Sequence, residues 1–78
     1  MNVLKLKEAT QMYVIYFYQP EGKGSYGEIK MNIGEKEAVI VSRSDEDGAG
    51  RYAFNAALAV EERVGKRNFP LEFTQAWY

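Results

Sequence analysis

The apolar positions of the chain follow the two-residue period of β-strands over much of its length. Residues 11–18, QMYVIYFY, are apolar at both parities, which is typical of a strand covered on both faces or of one with a tyrosine-rich exposed face. We expect Tyr16 and Tyr18 to lie on the exposed face. Upstream, residues 1–9 alternate leucine with lysine and predict either a short extra strand or a loose arm.

A second strand is predicted at residues 25–33, SYGEIKMNI, where apolar and polar residues alternate. Gly34 suits the first central position of a two-residue hairpin turn. That turn leads into a third strand over residues 36–43 and sets Ile29 opposite Ile40. The predicted buried face of this hairpin consists of Ile29, Met31, Ile33, Ala38 and Ile40.

The apolar spacing changes to that of a helix between residues 44 and 66. Ser44 or Asp45 is placed to cap the N-terminus, with acidic residues in the first turn. Gly65, followed by two cationic residues, marks the C-terminus. The predicted core stripe of the helix consists of Ala49, Tyr52, Ala53, Ala56, Val60 and Val64.

Residues 71–78 predict a last strand with Leu71, Phe73 and Trp77 on one face. The order is then β-β-β-α-β within a single domain over residues 1–78. A right-handed crossover places the last strand beside the first. We therefore predict an α+β two-layer sandwich, in which a mainly antiparallel four-stranded sheet of order 4-1-2-3 carries one helix on one face.

The composition excludes several classes of function. The chain has no cysteine and no histidine, which removes the usual zinc sites and the Ser-His-Asp and Cys-His hydrolases. Ten basic residues against eleven acidic ones give a net charge of -1, so the chain lacks the positive charge of a polyanion-binding protein. The longest apolar run, residues 12–18, is too short for a membrane span, and the N-terminus lacks a signal-peptide pattern. We predict a cytoplasmic protein without membrane contact.

Two short motifs have a simpler interpretation than catalysis. Gly22, Gly24 and Gly27 fit G-x-G-x-x-G, and their loop resembles the glycine-rich loop of protein kinases, but the lysine, catalytic loop and D-F-G of that family do not follow. We interpret the glycines as a wide hairpin turn. The segment SDEDG at residues 44–48 resembles the start of a calcium loop, yet Phe54 stands where the bidentate glutamate is required. We predict no enzyme activity and no catalytic, cofactor-binding or metal-binding residues.

The sequence also contains more apolar surface than one core can cover. Phe54 and Leu58 lie on a helix flank away from the core stripe, and valines occupy the sheet face away from the helix. The candidate interface residues are Tyr16, Tyr18, Tyr26, Val39, Val41, Arg43, Phe54 and Leu58. They predict a small non-enzymatic protein-interaction domain, a homodimer formed through the tyrosine and valine sheet face or through an edge strand.

Two alternatives belong to other classes of function. Tyrosines beside Lys30 and Arg43 could stack nucleobases, as in single-stranded nucleic-acid binders, although the net negative charge weighs against this. The predicted β-β-β-α-β order resembles, at the level of topology, that of HicB-type antitoxins. This resemblance implies a small regulator that holds a toxin, and it rests on topology alone.

Overall fold

The computed structural model describes residues 1–76. Over that range the chain forms five strands and one helix, in the order β-β-β-β-α-β. The elements are β1 (Asn2–Ala9), β2 (Tyr13–Pro20), β3 (Gly27–Asn32), β4 (Val39–Ser42), α1 (Arg51–Lys66) and β5 (Glu72–Gln75). The sheet has the order β4-β3-β2-β1-β5, and neighbouring strands are antiparallel. Trp77, predicted on the last strand, lies outside the described residues.

The α+β class is confirmed, with the helix on one face of an antiparallel sheet. The four-stranded count is wrong, because the N-terminal residues form β1 and insert between β2 and β5. Leu4 explains the insertion: it is fully buried and pairs with Tyr18 on one side and Phe73 on the other. The predicted order of the other strands holds, and β5 runs in the same direction as β2.

The core lies between the sheet and α1. Alanines at positions 53 and 56 are fully buried, and their small side chains allow the helix to approach the sheet closely. The buried apolar residues are Leu4, Val14, Tyr16, Tyr18, Ile29, Met31, Ala53, Ala56, Ala57, Ala59, Val60 and Val64. Phe73 on β5 packs edge-on against Tyr16, with 5.5 Å between the ring centroids, and extends the core to that side of the sheet.

The β3–β4 hairpin has the predicted pairing of Ile29 with Ile40, but a wider turn. The strands are joined by residues 33–38 instead of a two-residue turn. Beyond Ile29 the register shifts, so that Val41 is an extra residue of β4, a β-bulge. The expected burial of Ile33 and Ile40 is wrong: they are 39% and 42% exposed. Ile40 remains exposed because α1 packs mainly over β3 and leaves β4 largely uncovered.

The helix begins later than predicted, and neither Ser44 nor Asp45 caps it. It starts at Arg51, after Gly50 in the left-handed conformation (φ 78°). The buried Asp47 satisfies the first turn from the preceding loop: its Oδ1 accepts the Tyr52 N–H at 3.2 Å and its Oδ2 accepts the Ala53 N–H at 2.9 Å. An acidic residue therefore stabilises the helix N-terminus, but from outside the helix.

The C-terminus of α1 also differs in detail from the prediction. Gly65 is inside the helix, and Arg67 takes the left-handed position (φ 52°) that ends it. The Arg67 and Asn68 N–H groups donate to the carbonyls of Val64 and Arg63, both at 3.1 Å, in a Schellman-type closure. Ala49, predicted on the core stripe, precedes the helix and is exposed.

Candidate interaction surface

The expected placement of Tyr16 and Tyr18 on an exposed face is wrong. Both rings are fully buried on the helix side of β2. Each hydroxyl has a partner there: Tyr16 donates to the Pro70 carbonyl at 2.7 Å, and Tyr18 donates to the Asp47 carboxylate at 2.9 Å. Burial of the two tyrosines is favourable because each hydroxyl is hydrogen-bonded and each ring fills volume in the core.

The remaining apolar candidates lie on or beside the edge strand β4. Val39 and Val41 are 57% and 55% exposed, and the whole of β4 is accessible. An edge strand presents one row of backbone N–H and C=O groups without a neighbouring strand. The opposite edge, β5, differs in chemistry, because it carries polar residues and its Glu72 forms an ion pair with Lys5 at 3.7 Å.

An apolar groove of about 340 Å³ lies between β4 and the adjacent flank of α1. Ile40 projects from the strand into this region, and Phe54 and Leu58, 61% and 45% exposed, project from the helix. Glu37 and Glu61 also line the groove. Glu61 accepts the Ala38 N–H at 2.9 Å, which ties the loop before β4 to the helix. We call β4 together with this groove the β4 surface.

The sheet face away from the helix is a mixture of aromatic rings and lysines. Phe17 and Tyr26 contact each other with ring centroids 5.5 Å apart, and Lys5 and Lys7 lie over the Tyr26 and Phe17 rings at 5.6 and 5.3 Å. The Lys5 ammonium also donates to the Tyr26 hydroxyl at 3.2 Å, and this hydrogen bond raises the pKa of Lys5. The lysine stems therefore already cover part of the apolar area of this face.

Tyr26 and Arg43 are placed apart from the groove. Tyr26 belongs to the aromatic and lysine face just described and is 42% exposed. Arg43 follows β4, and its guanidinium donates to the Asp47 carbonyl and lies 4.0 Å from the Asp47 carboxylate. About half of the Arg43 side chain remains exposed at the end of the edge strand. The structure thus brings Phe54 and Leu58 together with Ile40 in the groove. Val39 pairs with Lys30, so it lies on the other face of the same edge strand.

The glycine motif has a structural explanation at each position. Gly22 and Gly24 lie in the turn after β2 with φ of 69° and 77°, values that L-residues with side chains rarely adopt. Gly27 begins β3, where a Cβ would fall within the ring of Tyr18 and 2.8 Å from the Ser42 carbonyl oxygen. The interpretation as a hairpin turn is confirmed for the first two glycines, and the third is required by close packing.

Sequence reasoning missed Ile40 as a surface residue. The alternation correctly placed it on the helix side of the sheet, but alternation does not report how far the helix extends across the strands. The signal that could have identified it is the strand order: the third strand of a meander lies at an edge when no later strand pairs with it. The residues on either side of Ile40 then belong to an exposed edge.

Comparisons of the chain with protein-family models, with curated proteins and with solved structures find no significant match. The observed order also has one strand more than the β-β-β-α-β order that resembles HicB-type antitoxins. Within residues 1–76, no helix is long and apolar enough to cross a membrane. The same residues contain no group of three or more acidic side chains arranged to hold a metal ion.

Proposed function

We propose that this chain is a small non-enzymatic protein-interaction domain that forms a homodimer through the β4 surface. The observation that carries the proposal is an exposed apolar edge strand, β4, with an apolar groove along its helix side. Val39 and Val41 are exposed along the edge strand. Ile40 faces the helix side, where Phe54 and Leu58 line the groove beside it. On small domains, contiguous exposed apolar patches of roughly 300–600 Å² are often functional.

Backbone chemistry supports the same surface. A sheet edge that lacks internal charge or proline is open to pairing with another strand. In β4 this applies to the regular part around Val39 and Ile40, which precedes the bulge at Val41. The apolar residues of β4 are consecutive, and its charged neighbours lie at the two ends, Glu37 before the strand and Arg43 after it. A second chain at this edge would satisfy backbone hydrogen bonds and remove the valines from water at the same time.

The opposite sheet face supports association less well than the edge. A partner packing there would have to displace lysines from aromatic rings and separate Lys7 from Glu28, with which it forms an ion pair. Breaking such contacts costs part of the free energy gained by burying apolar area. For this reason we assign the homodimer contact to the edge strand and not to the tyrosine and valine face.

The electrostatics give no support for an enzyme. The pKa of Glu62 is lowered by its hydrogen bond from Lys66, and that of Glu21 is lowered by the N-terminal amine and by Tyr52. Both shifts stabilise the ionised carboxylate, whereas a general acid requires a carboxyl whose pKa is raised by burial. With histidine and cysteine absent from the sequence, the common bases and nucleophiles of acyl transfer are absent as well.

The proposal is tested by placing a charge on the edge. Val41→Lys introduces an ammonium at the centre of the β4 surface, at a side chain exposed enough for the monomer to keep its fold. Leu71→Lys is the matched control, because Leu71 is 79% exposed and lies next to the opposite edge strand. Size-exclusion chromatography with light scattering should give a dimer for the unmodified chain and the control, and a monomer for Val41→Lys. Equal masses for the two variants would contradict the proposal.

A single-stranded nucleic-acid binder is the second candidate, and the observation that favours it is the aromatic and lysine face of the sheet. Against this candidate, Lys30 already lies 4.5 Å from the Tyr13 ring centroid, so a base that stacks on that ring must first displace the lysine. Fluorescence anisotropy with single-stranded and duplex oligonucleotides at low and high salt tests it. Binding to single strands that is lost in Tyr26→Ala would favour this candidate, and no binding at low salt would dismiss it.

A further inference from the structure

The sequence around β4 is symmetric in its chemistry about one residue. Residues 37–43 read Glu-Ala-Val-Ile-Val-Ser-Arg, with Ile40 at the centre. On the two sides of Ile40, Val39 matches Val41. One position further out, the small residues Ala38 and Ser42 match each other. The outermost pair consists of opposite charges, Glu37 and Arg43. A strand with this pattern is complementary to an antiparallel copy of itself.

Symmetry restricts how two copies of β4 can pair. Residues directly opposite in an antiparallel pair lie on the same face of the sheet. A twofold axis perpendicular to the sheet keeps each residue on its own face in both copies. At the centre of such a pair, one residue must therefore lie directly opposite its own copy. Within the apolar part of β4 the candidates are Val39, Ile40 and Val41.

The side chains select among these centres. An axis at Val39 sets Val41 against Glu37 of the other copy, and an axis at Val41 sets Val39 against Arg43. Each of those registers places a charge opposite a valine. An axis at Ile40 sets Val39 against Val41, where the bulge interrupts the regular ladder, and it brings Glu37 toward Arg43 at both ends. This register alone pairs apolar with apolar and opposite charge with opposite charge.

The groove becomes part of the same contact. A twofold axis perpendicular to the sheet leaves both helices on one face, and because α1 lies mainly over β3, the two helices would be about three strand spacings, or roughly 14 Å, apart. Directly packed helices are about 8–10 Å apart, so a gap remains between the two copies of α1. Phe54 and Leu58 project toward this gap from each helix flank, and Ile40 forms its floor.

We infer that β4 pairs with β4 of a second copy in an antiparallel register centred on Ile40, with Phe54 and Leu58 of both copies packed over the axis. The inference rests on the proposed function, because it specifies the partner and the register of that dimer. It extends the sheet continuously from one copy into the other. The apolar groove is then the half of an interface that the second copy completes.

Because the sequence contains no cysteine, disulfide formation between single introduced cysteines can identify the register. In the inferred dimer the two Cα atoms of residue 40 are about 4.5–5.5 Å apart, within the range of a disulfide. The Cα atoms of two copies of residue 39, or of residue 41, are roughly 8 Å apart, beyond that range. The variants are Ile40→Cys, Val39→Cys and Val41→Cys, with Leu71→Cys as the control for random collision.

Under a mild oxidant, Ile40→Cys should form a covalent dimer at least about tenfold faster than the other single variants, judged by the distances above. A mixture of Val39→Cys and Val41→Cys should cross-link faster than either alone. Preferential cross-linking of Val39→Cys alone or Val41→Cys alone would overturn the register while leaving the homodimer intact. A light-scattering mass of one chain would instead overturn the homodimer itself, so the two failures are distinguishable.

Charge reversal gives a second, independent readout. Glu37→Arg and Arg43→Glu should each weaken self-association by about tenfold, because each homodimer then opposes like charges at both ends. Mixed in equal amounts, the two variants should associate more tightly than either alone, since both contacts become attractive. Arg43→Glu also loses the hydrogen bond from Arg43 to the Asp47 carbonyl. That bond lies within one chain, so its loss is the same when the variant is alone and when it is mixed with Glu37→Arg. Equal affinities in all three samples would overturn the register.

Discussion

Replacing Asp47 with alanine should destabilise the fold more than any other single change in the loop before α1. The Asp47 carboxylate is 2% exposed and accepts hydrogen bonds from the Tyr18 hydroxyl and from the N–H groups of Tyr52 and Ala53. It therefore connects the centre of the sheet to the first turn of the helix. Alanine removes this acceptor from the Tyr18 hydroxyl and from the Ala53 N–H, both of which lie in a region with little access to water.

The magnitude follows from these contacts. Loss of a helix N-cap acceptor costs about 0.5–2 kcal/mol. Leaving the buried Tyr18 hydroxyl without an acceptor costs a further 1–3 kcal/mol or so. We therefore expect the free energy of unfolding to fall by roughly 1.5–5 kcal/mol. At about 0.05–0.15 kcal/mol per residue, the 78-residue chain has a total near 4–12 kcal/mol, so this variant loses a large fraction of it.

The assay is urea unfolding followed by circular dichroism, at one fixed protein concentration because a dimer makes the midpoint depend on concentration. Asp45→Ala is the matched control: Asp45 is exposed, and it is a residue that the sequence pattern selects as the cap. The control should change the free energy of unfolding by less than about 0.5 kcal/mol. If both variants unfold at the same urea concentration, Asp47 does not hold the helix N-terminus and the explanation is wrong.

Further predictions concern two glycines and one tyrosine. Gly27→Ala should destabilise by about 1–3 kcal/mol, because its Cβ would overlap the buried Tyr18 ring. Gly48→Ala, where no described atom lies within 4 Å of the new Cβ, is its control in the same urea assay. Gly65→Ala should raise the free energy of unfolding by about 0.5–1 kcal/mol, since alanine is the better helix former; a lower midpoint would contradict this. Burial raises the pKa of Tyr18 from 10.0 to about 12, so its contribution to stability is complete below about pH 10 and is lost as the pH rises through 12. Absorbance titration of the tyrosines should show one tyrosine fewer ionising together with unfolding above about pH 10 in Tyr18→Phe than in the unmodified chain.

Local patterns predicted the pairing at the centre of the hairpin correctly, because alternation specifies both strands there, but they missed the bulge beyond Ile29. The pairing of Ile29 with Ile40 follows from the period of two, and it survives although the turn is longer than predicted. The pattern of residues 1–9 does not decide between a strand and a loose arm, for a physical reason. Its formation depends on pairing with both β2 and β5, and such long-range contacts are not visible in a segment of alternating leucine and lysine.

Tyr16 and Tyr18 show that residue type alone can mispredict which face of a strand a side chain occupies. Tyrosine is common at wet positions, so a strand with apolar residues at both parities offered two ways to orient Tyr16 and Tyr18. The choice depended on the hydroxyl partners, Asp47 and the Pro70 carbonyl, which lie 29 and 54 residues away along the chain. The helix start was misplaced for a related reason, since the acidic residue that satisfies the first turn does so from a loop and not from the cap position.

Of the candidate surface, the residues on the helix flank and the valines of β4 could be predicted, because they break an otherwise regular amphipathic pattern. Their position at an open edge could not be predicted, since it requires knowing that β4 is an edge strand and that α1 lies mainly over β3. The chemical symmetry of residues 37–43 is present in the sequence, but it acquires meaning only once the strand is placed at the edge of the sheet.

The central claim is that the unmodified chain associates with itself, and sedimentation equilibrium tests it most directly. The chain has a mass of 8.9 kDa. As the concentration rises from low micromolar to hundreds of micromolar, the measured mass should increase and level off at twice that value, as expected for a closed twofold dimer. A mass that stays at 8.9 kDa throughout, or one that continues to grow beyond the dimer, would contradict the account.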